Sequence, residues 1–359
     1  MTPIRIAVDA MGGDHGHDVI INGAIRAASD HPVKILLVGE KEPLEKSLLQ
    51  KKYEGDSIEI IPASESISMS ESPREGIESK PDSSIIVAAK LVANDRADAL
   101  VSAGGTGSVV LAAAKNIPRI AGVRRTAIAT VYPTMNESNR ADYLSLMLDV
   151  GANVRCSSEE LVQFAIMGTA YVGDVRGIPN PSVALLNIGE EASKGGEQMQ
   201  EAYRMLRNTS SINFIGNIEG KDILRGICDV IVTEGFVGNI VIKTLEGAAK
   251  TVGRLSKLAF KTRVIWKLGL LMLRKGLKLL KEVTDYSEYG GAPLLGFEKM
   301  VIIAHGRSNA KAISNAIKLA GKCIRDDVCG QISRNIEEFE RMPGREFERL
   351  THEGYVSKE

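Results

Sequence analysis

Apolar residues in this chain gather in short unbroken runs, each closed by glycine or a small polar residue: IRIAVDAMGG, VKILLVGE, IEIIPAS, ALVSAGGTG, LSLMLDVGAN, VALLNIGEE, INFIGN, DVIVTEGFVGN and MVIIAHGRS. A continuous run, in place of strict alternation, suits a strand buried on both faces, so the pattern predicts a mainly parallel sheet. Segments of helix length separate several runs: Ser83 to Ala97 behind the caps Asp82 and Ser83, Ser158 to Val172, and Ser308 to Cys323. The repeated order strand, loop, helix predicts a doubly wound α/β fold with helices on both faces of the sheet. Residues 1–345 are expected to form one large α/β domain, followed by a tail at 346–359.

In such a sheet ligands sit beyond the carboxyl ends of the strands, which is where this chain concentrates its glycines. Gly12-Gly13, Gly104 to Gly107, Gly151 to Asn153, Gly189 with Gly195-Gly196, Gly235 to Asn239 and Gly290-Gly291 are such loops. Any one could merely be a tight turn; together they predict backbone amides and helix N-termini converging on an anion site. Several familiar chemistries are excluded. No G-x-x-x-x-G-K-[ST] stretch occurs, since Gly291 to Gly296 is followed by Phe297, and no strand-to-helix turn carries G-x-G-x-x-G. The G-x-S-x-G nucleophile elbow, the H-E-x-x-H zinc helix and the His-x-x-x-x-Asp signature are also missing. An enzyme of this kind brings its nucleophile from outside.

A different pattern begins near residue 245. From Arg254 to Lys281, RLSKLAFKTRVIWKLGLLMLRKGLKLLK, nine Lys or Arg occur with no acid, and apolar residues recur at helical spacing around the only tryptophan, Trp266. This predicts a protruding basic amphipathic helical arm at about 245–285, whose longest apolar run, Leu268 to Leu273, is far too short to cross a bilayer. A basic face, an apolar face and no compensating acid are what an interfacial helix needs. Trp266, Lys267, Leu268, Leu271, Met272 and Arg274 are therefore expected to meet an anionic membrane surface. Packing on the core or on a second subunit, or docking an acidic protein, is open to the same stretch.

Composition adds limits. Lys+Arg and Asp+Glu balance at 45 each, so no overall field points to nucleic acid, and 44% hydrophobic residues can fill a sizeable core. Cys156, Cys228, Cys323 and Cys329 lack metal-ligand spacing and read as buried free thiols, with no metal expected. No secretory signal pattern opens the chain, and a reducing cytoplasm is the expected location.

Taken in order, DAMGGDHG, SAGGTGS, LDVGANV, LLNIGEE with the following KGGE, INFIGNIEG, DVIVTEGFVGNIVIKTLEG, and YGGAPLLG with IIAHG make the chain resemble the phosphate acyltransferase family PlsX over residues 9–306. Each motif alone is weak, and the ordered set is specific. Two positions depart from the family pattern: Gly105 stands where asparagine is usual, and Glu234 where aspartate is. The resemblance implies a Rossmann-like fold similar to phosphotransacetylases and to the isocitrate/isopropylmalate dehydrogenase class. It implies a homodimer working at the membrane surface without a spanning helix or an organic cofactor. The implied reaction moves a long-chain acyl group from acyl carrier protein to inorganic phosphate, giving acyl phosphate for phospholipid synthesis. The next acyltransferase of that pathway is a further candidate partner.

Such a reaction needs no serine or cysteine nucleophile: bound phosphate attacks the thioester, and the protein holds an anion and stabilises a developing oxyanion. Lys194, in the glycine-flanked stretch Glu190 to Gly196, is the expected cation, although a lone lysine is most often merely solvated. Asn239, at an expected helix start, could donate to phosphate or to the thioester oxygen, or cap its helix. His15 could accept a proton or hold an anion. Asp9 and Asp14 would repel phosphate and are expected to orient loop amides or the lysine. Gly12, Gly13, Gly105, Gly107 and Gly238 are expected to supply amides. Thr106 and Ser108 would add hydroxyls, Asn153 and Asn187 amide groups, and Glu234 borders the same substrate site. Two other readings stand beside this one. A non-catalytic membrane-surface scaffold would show its loss at Gly105 and Glu234; a metal- and nucleotide-dependent dehydrogenase would need aspartates spaced four apart on a helix, which the sequence does not contain.

Overall fold

The computed structural model describes residues 3–261 and 290–341. The apolar runs form β1 (Ile4–Asp9), β2 (Val33–Gly39), β3 (Ile58–Pro62), β4 (Ala99–Ser102), β6 (Leu144–Leu148), β7 (Ser182–Leu186), β8 (Asn213–Ile218), β9 (Val230–Val232) and β11 (Met300–Ile303). Two strands that the pattern did not reveal join them, β5 (Ala127–Pro133) and β10 (Ala292–Leu295). The helices are α1 (His17–Asp30), α2 (Lys41–Gln50), α3 (Pro73–Ser79), α4 (Ser84–Ala93), α5 (Thr106–Asn116), α6 (Ser158–Arg176), α7 (Glu197–Asn208), α8 (Gly235–Lys261), α9 (Ala310–Arg325) and α10 (Val328–Glu340).

The strands make one continuous sheet in the order β3-β2-β1-β4-β11-β10-β5-β6-β9-β7-β8. From β3 to β11 neighbours are parallel, and so are those from β6 to β8. Between the two blocks, β10 is antiparallel to β11 and to β5, and β5 is antiparallel to β6. The doubly wound, mainly parallel α/β fold is therefore observed, but its two parallel blocks run in opposite senses and meet at a seam made of β10 and β5. The carboxyl ends of the two blocks consequently lie at opposite edges of the sheet, so the glycine loops fall into two sets in place of one row along a single edge.

Both faces are buried, as continuous apolar runs require. In β1, Ile6 and Val8 pack with α1 and α9 on one side, while Ala7 packs with α4 and α5 on the other. In the second block, Met147, Ala184 and Ile231 lie under Val241, Ile242 and Leu245 of α8. Local chemistry sets the helix ends. α4 stops short of the expected Ala97 where Asp95 takes a positive φ of 55°. α6 starts behind a Ser157–Glu160 capping box and runs past Val172 to Gly177, whose φ is 69°. α9 starts at Ala310, two residues beyond the expected Ser308, because the Asn309 side chain accepts the Ala312 N–H at 2.9 Å.

Of the arm expected at 245–285, residues 245–261 lie within α8 and the rest fall outside the described residues. Trp266, Lys267, Leu268, Leu271, Met272 and Arg274 lie outside the described residues, as does the tail at 346–359. Among the described residues no helix is long and apolar enough to cross a membrane. The four cysteines are free thiols; Cys156, Cys228 and Cys323 are buried and Cys329 half-buried. Burial, with the nearby Asp149 charge second, pushes the Cys156 thiol up to about 12, so it is no nucleophile at neutral pH.

Candidate active site

β1 ends in, and β6 is directly followed by, a buried aspartate turned back on the loop beyond it. Asp9, 2% exposed, accepts the Met11 and Gly12 N–H groups at 3.1 Å and the Ser84 and Ser102 hydroxyls at 2.6 Å. Asp149, fully buried, accepts three backbone N–H groups at Oδ1, those of Ile128, Gly151 and Ala152, each at 3.0 Å. Its Oδ2 accepts the Asn153 N–H and side-chain amide at 2.8 Å. Carboxylates carrying this many hydrogen-bond donors are held rigidly in place. Asp9 thus orients its loop's amides as expected, and the Gly12 amide is taken up by Asp9 itself.

At the seam a cavity of about 170 Å³ opens over β10 and β5, beneath α8. The first block contributes Thr106 at the start of α5, and His305 and Ser308 beyond β11; the second contributes Val150 beyond β6. α8 supplies Asn239, Ile242, Lys243 and Glu246 from above, while Ile128 and Ile303 form an apolar floor. The helix reaches this place because Gly238 rests directly on the Asp149 turn: a Cβ there would lie 2.0 Å from the Asp149 carbonyl oxygen. Asn239 is one turn inside α8, so the capping alternative does not apply to it; its Nδ2 donates to the Val150 carbonyl at 3.2 Å.

Lys243 pairs with Glu246 at 3.3 Å on the cavity wall. Half-buried His305 accepts the Arg307 N–H at Nδ1, 3.1 Å away. Burial first, and then the Lys243 charge, hold the His305 pKa below the ordinary imidazole value, so the ring is neutral at pH 7. Lys243, Glu246, His305 and Ser308 were not singled out from the sequence. The available signal for His305 was its place in IIAHG, immediately after a strand, the same strand-end position as the glycine loops.

Of the residues expected to form the site, Thr106 and Asn239 line this cavity. Gly12, Gly105 and Ser108 border a second, smaller one of about 10 Å³ beside Asp9 and Ser84. Gly13 packs on the Gly306 carbonyl and Gly107 on Pro73. The Asn153 side chain is held by Asp149 and by the Thr126 carbonyl at 2.7 Å. Asn187 donates to the Lys194 carbonyl at 3.1 Å and accepts the Ile188 N–H at 2.8 Å, which closes the loop after β7. Lys194 is exposed on that loop and His15 is exposed on the turn before α1, both outside the cavity lining. Glu234 precedes α8, its carbonyl accepting the Gly238 N–H. Elsewhere, Glu190, Glu219 and Asp222 bring carboxylates within 4.8 Å of one another. Lys221 pairs with the first two and Arg225 with the third, so the protein's own cations already compensate that cluster.

Comparison with known proteins places this geometry among relatives. A family profile described as fatty acid synthesis protein matches residues 4–331. The phosphate acyltransferase of Dictyoglomus turgidum is 44% identical over 337 residues, covering 94% of this chain and 98% of that protein. The phosphate acyltransferase of Heliobacterium modesticaldum is 45% identical over 334 residues, covering 93% and 98%. Among solved structures, a phosphotransacetylase from Streptococcus pyogenes superposes with a TM-score of 0.60 at 18% identity, covering 90% of this chain and 94% of that one. The EutD phosphotransacetylase from Staphylococcus aureus gives 0.58 at 15% identity over 89% and 94%. These two share the fold.

Proposed function

We propose, from the premise that this chain belongs to the phosphate acyltransferase family, that it transfers a long-chain acyl group from acyl carrier protein to inorganic phosphate. The product is the acyl phosphate used in phospholipid synthesis. The observation that carries this reading is the seam cavity, where the polar groups of Thr106, Asn239, Lys243 and His305 face an apolar floor. An anion and the start of an acyl chain need those two surroundings side by side.

Phosphate is already a nucleophile. What the protein adds is position, compensation of negative charge and donors for the developing oxyanion. In this reading Asn239 donates from the cavity wall to phosphate or to the thioester oxygen, and Thr106 donates from the N-terminus of α5. Lys194 brings a cation on the loop that Asn187 closes, and His15 is a further anion contact on the side of the first block. The reading includes a membrane face on a homodimer. The last described turns of α8 support that face, because Val252, Leu255 and Leu258 stand 60–63% exposed on the helix that leads into the basic arm.

The test is to incubate the purified chain with an acyl carrier protein thioester and phosphate and to trap acyl phosphate with hydroxylamine. Lys194→Ala and Asn239→Ala are each expected to lower product formation about tenfold or more without altering circular dichroism. Full turnover in both variants would remove these two assignments. No product from the wild type would favour the non-catalytic scaffold.

A further inference from the structure

α8 and the turn that follows β11 both border the seam cavity, and both carry exposed cations. On α8, Asn239, Lys243 and Glu246 line the cavity, and Lys250 stands one turn beyond Glu246. Lys243 and Lys250, each 57% exposed, share the Glu246 carboxylate at 3.3 and 3.9 Å, which leaves a net positive charge on that border. On the other border Arg307 is 69% exposed, 3.8 Å from Asp14. Exposed pairs of this kind are weak, so the carboxylates of a partner can compete for these cations. The same charges are felt at His305: burial is the largest cause of its lowered pKa, Lys243, Lys250 and Arg307 lower it further, and Glu246 opposes them.

The geometry of α8 says what meets this rim. A helix of 3.6 residues per turn advances about 100° per residue, so Asn239, Lys243, Glu246 and Lys250 fall on one stripe about 60° wide. The exposed apolar residues Val252, Leu255 and Leu258 centre about 150° further round. With that apolar face on a bilayer, the charged stripe and the cavity beside it look away from lipid and toward water. A soluble partner reaches them from that side.

Acyl transfer from a carrier protein, on which this inference rests, makes a demand on the same rim. The thioester is tethered to its carrier, so delivering it to the cavity brings the carrier's surface against the cavity's border. We propose that Lys243, Lys250 and Arg307 form a docking surface for an acidic face of the acyl carrier protein. Opposite charges on two such faces speed encounter and fix orientation, and salt weakens both effects.

Two donors of the same acyl group isolate the surface: the carrier protein thioester, and the uncharged pantetheine thioester, which has no protein to dock. Lys250 and Arg307 lie outside the cavity lining, so their side chains can be changed without altering it. With phosphate saturating, Lys250→Glu combined with Arg307→Glu is expected to raise KM for the carrier thioester about tenfold or more, leaving kcat/KM on the pantetheine thioester within about threefold of wild type. In the wild type, raising salt from about 0.05 M to about 0.5 M is expected to raise the carrier KM and leave the pantetheine KM unchanged. Equal losses on both donors would overturn docking in favour of a role for these charges in the cavity or the fold. A carrier KM that neither the variant nor salt moves would also overturn it, and loss of sedimentation with anionic vesicles in that same variant would assign the cations to lipid. A wild type that uses the pantetheine thioester but not the carrier's defeats this surface and leaves acyl transfer to phosphate standing. One that makes acyl phosphate from neither defeats the acyltransferase reading itself, and the surface with it.

Discussion

Asp98 stands just ahead of β4, where its carboxylate accepts the Arg5 backbone N–H at 2.7 Å and the Arg5 guanidinium at 2.9 Å. Burial works against its charge, and the Arg5 hydrogen bonds outweigh burial, leaving the carboxyl below its ordinary value of 3.8. A carboxyl lowered by folding stabilises the native state above its unfolded pKa and loses that contribution as pH falls through the folded value. Asp98→Asn is accordingly expected to cost about 1 kcal/mol at pH 7 in urea unfolding, the difference from wild type shrinking below about pH 4. A difference that persists undiminished into that acid range would contradict the electrostatic account. At this scale the sequence was only partly legible. Asp9 was expected to orient its loop, whereas the hydroxyls that hold it come from Ser84 and Ser102, distant along the chain. His305 escaped notice for the same reason: its surroundings are assembled by α8 and the β11 turn, which no local window of sequence joins.

Among the elements, α8 was the hardest to delimit, because two glycines within four residues, Gly235 and Gly238, suggest a loop. The glycines are there for close approach: at Gly238 any side chain meets backbone, which no rotamer change relieves. Gly238→Ala is expected to lift α8 from the Asp149 turn, to lower stability by about 1–3 kcal/mol in thermal unfolding, and to reduce acyl-phosphate formation together with it. Unchanged melting would show that the helix start can move without strain. The strands divide in an informative way. Continuous apolar runs were legible wherever a strand is central and parallel. β5 was not, because TAIATVYP mixes Ala and Thr with half-buried positions, and β10 was not, because four residues containing Pro293 after two glycines read as a turn. These two are the strands that reverse the sheet.

For the whole molecule, the missed pair decides the architecture: without β10 and β5 the sheet would read as one row, and with them it becomes two opposed blocks around a cavity. Residue pattern reports burial but not strand direction, so this level was closed to the sequence. The arm belongs to the same scale. Leu268→Glu combined with Leu271→Glu is expected to abolish sedimentation with anionic vesicles while sparing turnover on a soluble thioester; undiminished sedimentation would remove the membrane contact. The seam also bears on how the chain is made. Ala99 pairs with Met300, and Ala127 with Leu295, so β4 and β5 wait for partners synthesised far later. At about 5–20 residues per second, the roughly 200 residues between β4 and β11 take on the order of ten to forty seconds to emerge. Throughout that interval the nascent first block presents the bare edge of β4, an invitation to pair with other chains. The middle of the sheet is the last part to close, and the strand order itself leaves the newborn protein with an open edge until β11 emerges.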